Sequence, residues 1–191
     1  ALSQGGGLAW LGASWVERGA DVDSCVFLRN RAERGGGMCY LDAERMDNLN
    51  VHRCAFEKNE SSQTGGGCFF ALGRDEGGKL ILTNSNFNEN KSVNGSTIYC
   101  TPLGFLPTES ISMNKCSFQR SSTLPSNNIP DRVILFIDIL SLDNTLVSVK
   151  NSNFTENFYA SIILLSGQTS GLLEVKDSKY EFNEIGTLIS G

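Results

Sequence analysis

The groups in this 191-residue chain that could do chemistry are few, and their placement restricts them further. Six cysteines offer thiol, disulfide or metal chemistry, but no Cys-x-x-Cys pair has the spacing that structural zinc uses. His52 is the only imidazole; at an outward position two residues before Cys54 it reads as a surface residue, and a histidine metal site lacks a second ring. Carboxylates gather at Asp42, Glu44 and Asp47, and Asp75 and Glu76 fall about 30 residues later, one repeat further on. Clustered carboxylates on one surface could hold calcium or act on a sugar, so Asp42, Glu44 and Asp75 are the metal or carbohydrate candidates. A solvated acidic face is the alternative reading. No cofactor is expected. With 16 basic against 21 acidic residues the formal charge is −5, and the chain lacks the basic stripe that a nucleic-acid partner requires.

These groups must be positioned by strands. Twenty Gly and 17 Asn against four Pro favour many short strands joined by sharp bends, because Gly and Asn tolerate left-handed backbone. No segment keeps an apolar stripe at helical spacing, whereas alternation such as Leu80-Ile81-Leu82-Thr83 recurs. The longest apolar run, Val133 to Leu142, is broken by Asp138 and falls short of the roughly 18 to 20 residues of a membrane span.

A repeat organises the chain. The aromatic residues Phe27, Phe56, Phe87, Phe118, Phe154 and Tyr180 are separated by 29, 31, 31, 36 and 26 residues. Three residues after them stand Asn30, Asn59, Asn90, Ser121, Asn157 and Asn183; two before them stand Cys25, Cys54, Ser85, Cys116, Ser152 and Ser178. The positions five and seven before are always apolar. These two apolar positions and the Cys/Ser–aromatic pair differ in parity, so a bend must lie between them, at Ser24, Arg53, Asn84, Lys115, Asn151 and Asp177.

A second element precedes the first: Gly5-Gly6-Gly7, Gly35-Gly36-Gly37, Gly65-Gly66-Gly67 and the degenerate Gly95-Ser96-Thr97 start 30 residues apart. Each is followed by an alternating strand. Such a period predicts an all-β parallel β-helix, a solenoid with three short strands per coil and about six to seven coils of roughly 30 residues. Residues 1–191 form one segment, with an inserted polar loop at 121–131 whose two prolines exclude a ladder strand. A β-sandwich would not need five columns at one constant offset.

In such a stack the aromatic and Asn columns become ladders. Packing explains Cys25, Cys54 and Cys116, which alternate with Ser; a disulfide between Cys25 and Cys54, one coil apart, stays open. Cys39 falls on the outward parity. Sequons occur at Asn59, Asn90, Asn94 and Asn153, about the number that composition alone gives; Asn59 and Asn90 are expected at exposed turns and Asn153 pointing outward.

With Phe-x-x-Asn and Gly-Gly-x-aliphatic in hand, the chain resembles the repeats of the chlamydial polymorphic outer-membrane proteins and related right-handed parallel β-helix surface proteins. The matches are Phe27 to Asn30, Phe56 to Asn59, Phe87 to Asn90, Phe154 to Asn157 and Tyr180 to Asn183, with the glycine motifs at Gly35 and Gly65. A third Gly replaces the usual Ala, and the motif decays after Ile98. The resemblance implies a right-handed helix and a surface-exposed segment used in adhesion or as a spacer. The expected function is therefore a non-catalytic extracellular or cell-surface solenoid, its partners other proteins, glycans or further coils at either end. A pectin lyase-like carbohydrate-active or carbohydrate-binding β-helix is the alternative. Both termini read as cuts through a longer rod, or as surfaces that meet another subunit: the chain opens at Ala1 without an initiator Met and already on the first strand of a coil.

Overall fold

The computed structural model describes residues 2–12, 20–42, 48–72, 79–102, 111–124, 133–138, 146–157, 161–166, 172–181 and 187–190. Every described element is a strand, and every pairing is parallel. The strands stack as a β-solenoid, so that each strand's neighbours in its sheet come from the coil before and the coil after.

Four sheets run along the stack, not three strands per coil. The glycine-side sheet has seven strands, Leu8–Gly12, Met38–Asp42, Cys68–Leu72, Ile98–Pro102, Val133–Asp138, Ser161–Ser166 and Thr187–Ser190. The aliphatic sheet and the aromatic sheet have six each, represented by Lys79–Thr83 and Asn86–Asn88. The fourth, a polar sheet, pairs Leu2–Gln4, Arg31–Arg34, Glu60–Thr64, Lys91–Ser92 and Ser122–Thr123. Its strands carry one inward side chain apiece, Ala32, Ser61 or Ser92, so no apolar alternation marks them in sequence. Ser121 is buried and Ser122–Thr123 pairs with Lys91–Ser92, so the stack claims the first residues of the expected 121–131 loop; 125–131 lie outside the described residues.

The coil count also needs correction. About three turns, rather than six to seven, keep the full regular unit, those whose glycine corners open at Gly5, Gly35 and Gly65. At Gly95 the second and third glycines become Ser96 and Thr97, while parallel pairing continues as far as Thr187–Ser190.

The registers are those that stacking of like on like demands: Phe56 pairs with Phe27 and Phe87, and Leu80 with Leu49 and Ile111. Leu49, Val51, Leu80, Leu82, Val147 and Val149 are wholly buried, filling the interior beside the ring column. The bends between the aliphatic and aromatic strands fall where parity requires, and all six residues there adopt positive φ: Ser24, Arg53, Asn84, Lys115, Asn151 and Asp177, between 50° and 56°. A second left-handed residue, Arg29, Lys58, Glu89 or Arg120, turns the chain into the polar sheet just before the Asn column or Ser121, and Glu156 takes the same backbone beside Asn157.

Candidate functional site

The repeated aromatic, amide and small side chains meet in three parallel columns inside the solenoid. Phe27, Phe56, Phe87, Phe118, Phe154 and Tyr180 form one continuous stack, with successive ring centroids 4.6, 4.8, 5.1, 4.6 and 5.0 Å apart. The rings are within 11° of parallel, the arrangement forced by an in-register column with one strand spacing per level.

The Asn column is a directional amide ladder. Asn30 donates from its backbone N and its Nδ2 to Asn59 Oδ1 at 3.0 and 3.1 Å. Asn59 repeats both bonds to Asn90 Oδ1 at 3.0 and 3.1 Å, and its Nδ2 also donates to the Phe27 carbonyl at 2.9 Å. Asn157 donates to the Phe118 carbonyl at 2.9 Å and accepts from the Ser121 N–H at 3.0 Å. Ser121 stands where the column lacks an Asn. These amide bonds all run from one coil to another, Asn59 accepting from Asn30 and donating to Phe27 of the coil before while donating to Asn90 of the coil after, and an amide that both donates and accepts is suited to that place. Asn183 lies outside the described residues.

The Cys/Ser column is chosen by hydrogen bonding as well as by size. Ser85, Ser152 and Ser178 hydroxyls donate to the carbonyl two residues back, at 3.0, 2.8 and 3.1 Å, spanning the left-handed bend, and Cys54 Sγ does the same to His52 at 3.1 Å. The same hydroxyls accept from the backbone N–H of the preceding coil: Cys54 to Ser85, Cys116 to Ser152 and Ser152 to Ser178, each 3.2 Å.

Several expectations about reactive groups are corrected here. Cys25 and Cys54 are free thiols, not a disulfide. In-register neighbours in a parallel sheet project parallel Cβ atoms about 4.8 Å apart, beyond the roughly 3.5 to 4.5 Å that a bridge needs. Cys39 is on the outward face of its strand yet fully buried, in a second cluster with Phe69, Leu41 and Tyr99. Burial pushes its thiol up to about 11, with the Arg34 charge opposing, and likewise raises Cys116 to about 11. Cys68 and Cys100 are raised further by complete burial, so these sulfurs are inert as nucleophiles at neutral pH.

Asn59 and Asn90 are wholly buried and their amides bond inward, so they are not exposed glycosylation turns. Asn153 is exposed and Asn94 partly so. Asn94 Oδ1 and Nδ2 aside, its carbonyl accepts from Gly65 N at 3.0 Å. His52 is half-buried, with Nδ1 bonded to Thr83 Oγ1. Glu44, Asp47, Asp75 and Glu76 lie outside the described residues, as does the side chain of Asp42, so the carboxylate candidates have no described geometry.

Sequence reasoning missed the outer aromatic pair Phe69 and Tyr99, whose rings stack at 5.5 Å on the exterior of the glycine-side sheet. The available signal was the strand Cys68-Phe69-Phe70, apolar on both parities and so covered on both faces. Among the described residues no helix is long and apolar enough to cross a membrane. No family model matches this chain, and no curated protein and no solved structure shows significant similarity to it.

Proposed function

We propose that this chain is a non-catalytic structural segment, a parallel β-solenoid that acts as a spacer and interaction surface in a larger extracellular or cell-surface protein or assembly. The observation that carries the reading is the six-level ring stack with its accompanying amide ladder. The residue types that recur most strictly are spent on joining one coil to the next, which yields a stiff rod with a variable exterior. Buried, raised-pKa thiols suit an oxidising exterior, because they resist oxidation without being paired. The Phe-x-x-Asn and Gly-Gly-x motifs favour kinship with the polymorphic outer-membrane protein repeats and an adhesive role. Asn153, exposed beside its inward Phe154, is the sequon best placed to carry a glycan.

A screen of polysaccharides for both cleavage and retention tests this. The expected outcome is no turnover. Cleavage that Asp42→Asn or Asp75→Asn abolishes would overturn the reading in favour of a pectin lyase-like enzyme.

A further inference from the structure

We propose that Cys25 and Cys54 form a two-sulfur site that takes a soft d10 cation such as Cu(I), held in line between two successive coils. The site is additional to the scaffold reading and does not depend on it.

The two thiols stand in one column of adjacent coils, since Val26 pairs with Ala55 directly after them. Cys25 Sγ donates to the carbonyl two residues back, that of Asp23, at 3.3 Å, and Cys54 Sγ donates to that of His52 at 3.1 Å. Equivalent bonds mean equivalent rotamers, so the sulfurs are displaced by one coil spacing, which for the Phe27 and Phe56 rings of the same two coils is 4.6 Å. That distance is far beyond the roughly 2.05 Å of a sulfur–sulfur bond. Its midpoint lies about 2.3 Å from each sulfur, the length of a metal–thiolate bond. The gap that prevents a disulfide is the gap that a linear sulfur–metal–sulfur unit fills.

The surroundings suit thiolates. The Cys25 backbone N–H is directed at Cys54 Sγ, as the Cys54 N–H is at Ser85 Oγ one coil on, and it stays in place as a donor to the anion. On binding, the cation replaces both thiol protons, which pass to solvent. The His52 carbonyl then loses the Cys54 thiol but keeps the Ser24 N–H at 3.0 Å. Entry is from one side: Cys25 is half-buried and lines a concavity of about 540 Å³ with Leu8, Phe27 and Asn30, and Cys54 is buried one coil further in.

The donor set selects the ion. Zinc takes a full tetrahedral set, and among the described residues no group of three or more His, Cys, Asp and Glu side chains is placed to hold a metal. Asp23 and His52, close in sequence, are turned outward and engaged with Arg53 and Thr83. Calcium and magnesium need a cage of oxygens. Two thiolates in line suit the soft cations that sulfur selects, of which Cu(I) is the common one. Cys116, in the same column, has Ser85 and Ser152 as its neighbours and does not repeat the pair.

Anaerobic titration of the reduced 191-residue chain with Cu(I), presented as its bicinchoninate complex, tests the site. One equivalent should leave the chelate for the protein, and X-ray absorption at the copper edge should show two sulfur neighbours. Cys25→Ser and Cys54→Ser should each weaken uptake about hundredfold or more, since even a partner behind a ligand is worth up to that. Both variants should fold, because Ser85, Ser152 and Ser178 already fill this column, and far-UV circular dichroism checks it. Cu(I) should raise the melting temperature of the parent chain and of Cys116→Ser, but not of these two variants. Zn(II) in excess should not compete. No transfer from the chelate, uptake that survives Cys25→Ser, an equal loss in Cys116→Ser, or displacement by Zn(II) would each overturn the proposal.

Discussion

Each regular coil turns sharply on both sides of its polar strand, and the two turns meet the same backbone demand with opposite residue types. Before the strand, positive φ falls on charged residues, Arg29, Lys58, Glu89 and Arg120, at 50° to 55°. After it, positive φ falls on Gly5, Gly35, Gly65 and Gly95, at 55° to 67°. Left-handed backbone alone therefore does not call for glycine in this protein. The charged residues send their side chains to solvent, where Lys58 faces Glu89 at 3.7 Å and Arg120 faces Glu156 at 2.5 Å, exposed pairs that solvent screens and that contribute little. At the glycine corner there is no such exit. A Cβ on Gly35 would stand 2.2 Å from the Met38 carbonyl oxygen, and one on Gly66 would stand 2.2 Å from the Ser96 carbonyl oxygen of the next coil. Glycine is thus demanded by the close approach of neighbouring backbone, with φ as a second condition.

The two corners also share an interior. A Cβ on Gly37 would reach 3.1 Å from both Asn59 Nδ2 and the Phe56 ring, so the third glycine backs directly onto the ring stack and amide ladder. That contact is the physical reason for the two motifs to travel together. It also defines the largest expected effect, at the shared interior. Phe56→Ala should cost about 3 to 5 kcal/mol by opening a cavity between Phe27 and Phe87, measured by urea unfolding. Tyr180→Ala, at a partly exposed level with Phe154 as its recorded ring partner, should cost less, and the reverse order would break the column assignment.

Next in size is the glycine corner itself. Gly66→Ala should destabilise by about 1 to 3 kcal/mol or more, because the clash is with the Ser96 and Lys91 backbone, not with a side chain that could swing away. A neutral Gly66→Ala would remove the distinction between the corners.

Buried thiols on both faces of the sheets make the fold sensitive to pH. Cys39 and Cys116 are held near 11 in the fold against an ordinary 9.0. Above pH 9 the unfolded chain releases protons that the folded chain keeps, so stability is full below pH 9 and falls as pH rises from 9 to 11. The fall should approach about 1.4 kcal/mol per pH unit for each such thiol, read from denaturant midpoints, and Cys116→Ser should make it shallower.

Where the corner has already lost its glycines, the effect should change sign. Ser96 Oγ and Thr97 Oγ1 are buried without partners. Thr97→Val keeps the shape and removes the unmet hydroxyl, and should stabilise by about 1 kcal/mol in thermal unfolding. The smallest effect belongs to the charged corner: Lys58→Gly should change stability by only a few tenths of a kcal/mol, since relief of positive φ offsets added chain entropy and a lost surface pair. A large loss there would show that the charged column does more than turn the chain.

The aromatic column, its partners at fixed offsets and the first bend were legible in sequence because one residue type per position survives when identical levels stack. The polar sheet was not, because a strand with a single inward Ala32 or Ser61 carries no period. The second bend was hidden by its residues, since Arg29 or Glu89 gives no sign of left-handed backbone. The sequons at Asn59 and Asn90 misled for the converse reason: the pattern Asn-x-Ser describes a substrate for modification only when the amide faces out, and here the ladder has taken it. The pair Phe69 and Tyr99 was missed, because the two rings stand on different strands and only the stacking of coils brings them together, with Arg34 over Phe69.

The amide ladder has a consequence for how such a chain can change length. From Cys or Ser through the aromatic residue to Asn the offsets never vary, while whole coils run from 26 to 36 residues between aromatic positions. A one-residue deletion inside that stretch would turn the ring or the amide out of its column, and every bond it makes with the coils on either side would go with it. Duplicating or removing a complete coil would instead hand each Asn donor an equivalent acceptor, at Asn90 as readily as at Asn59. Insertions should therefore accumulate outside that stretch, as the residues between Ser122–Thr123 and Val133–Asp138 do, and the length of the rod should vary in whole coils.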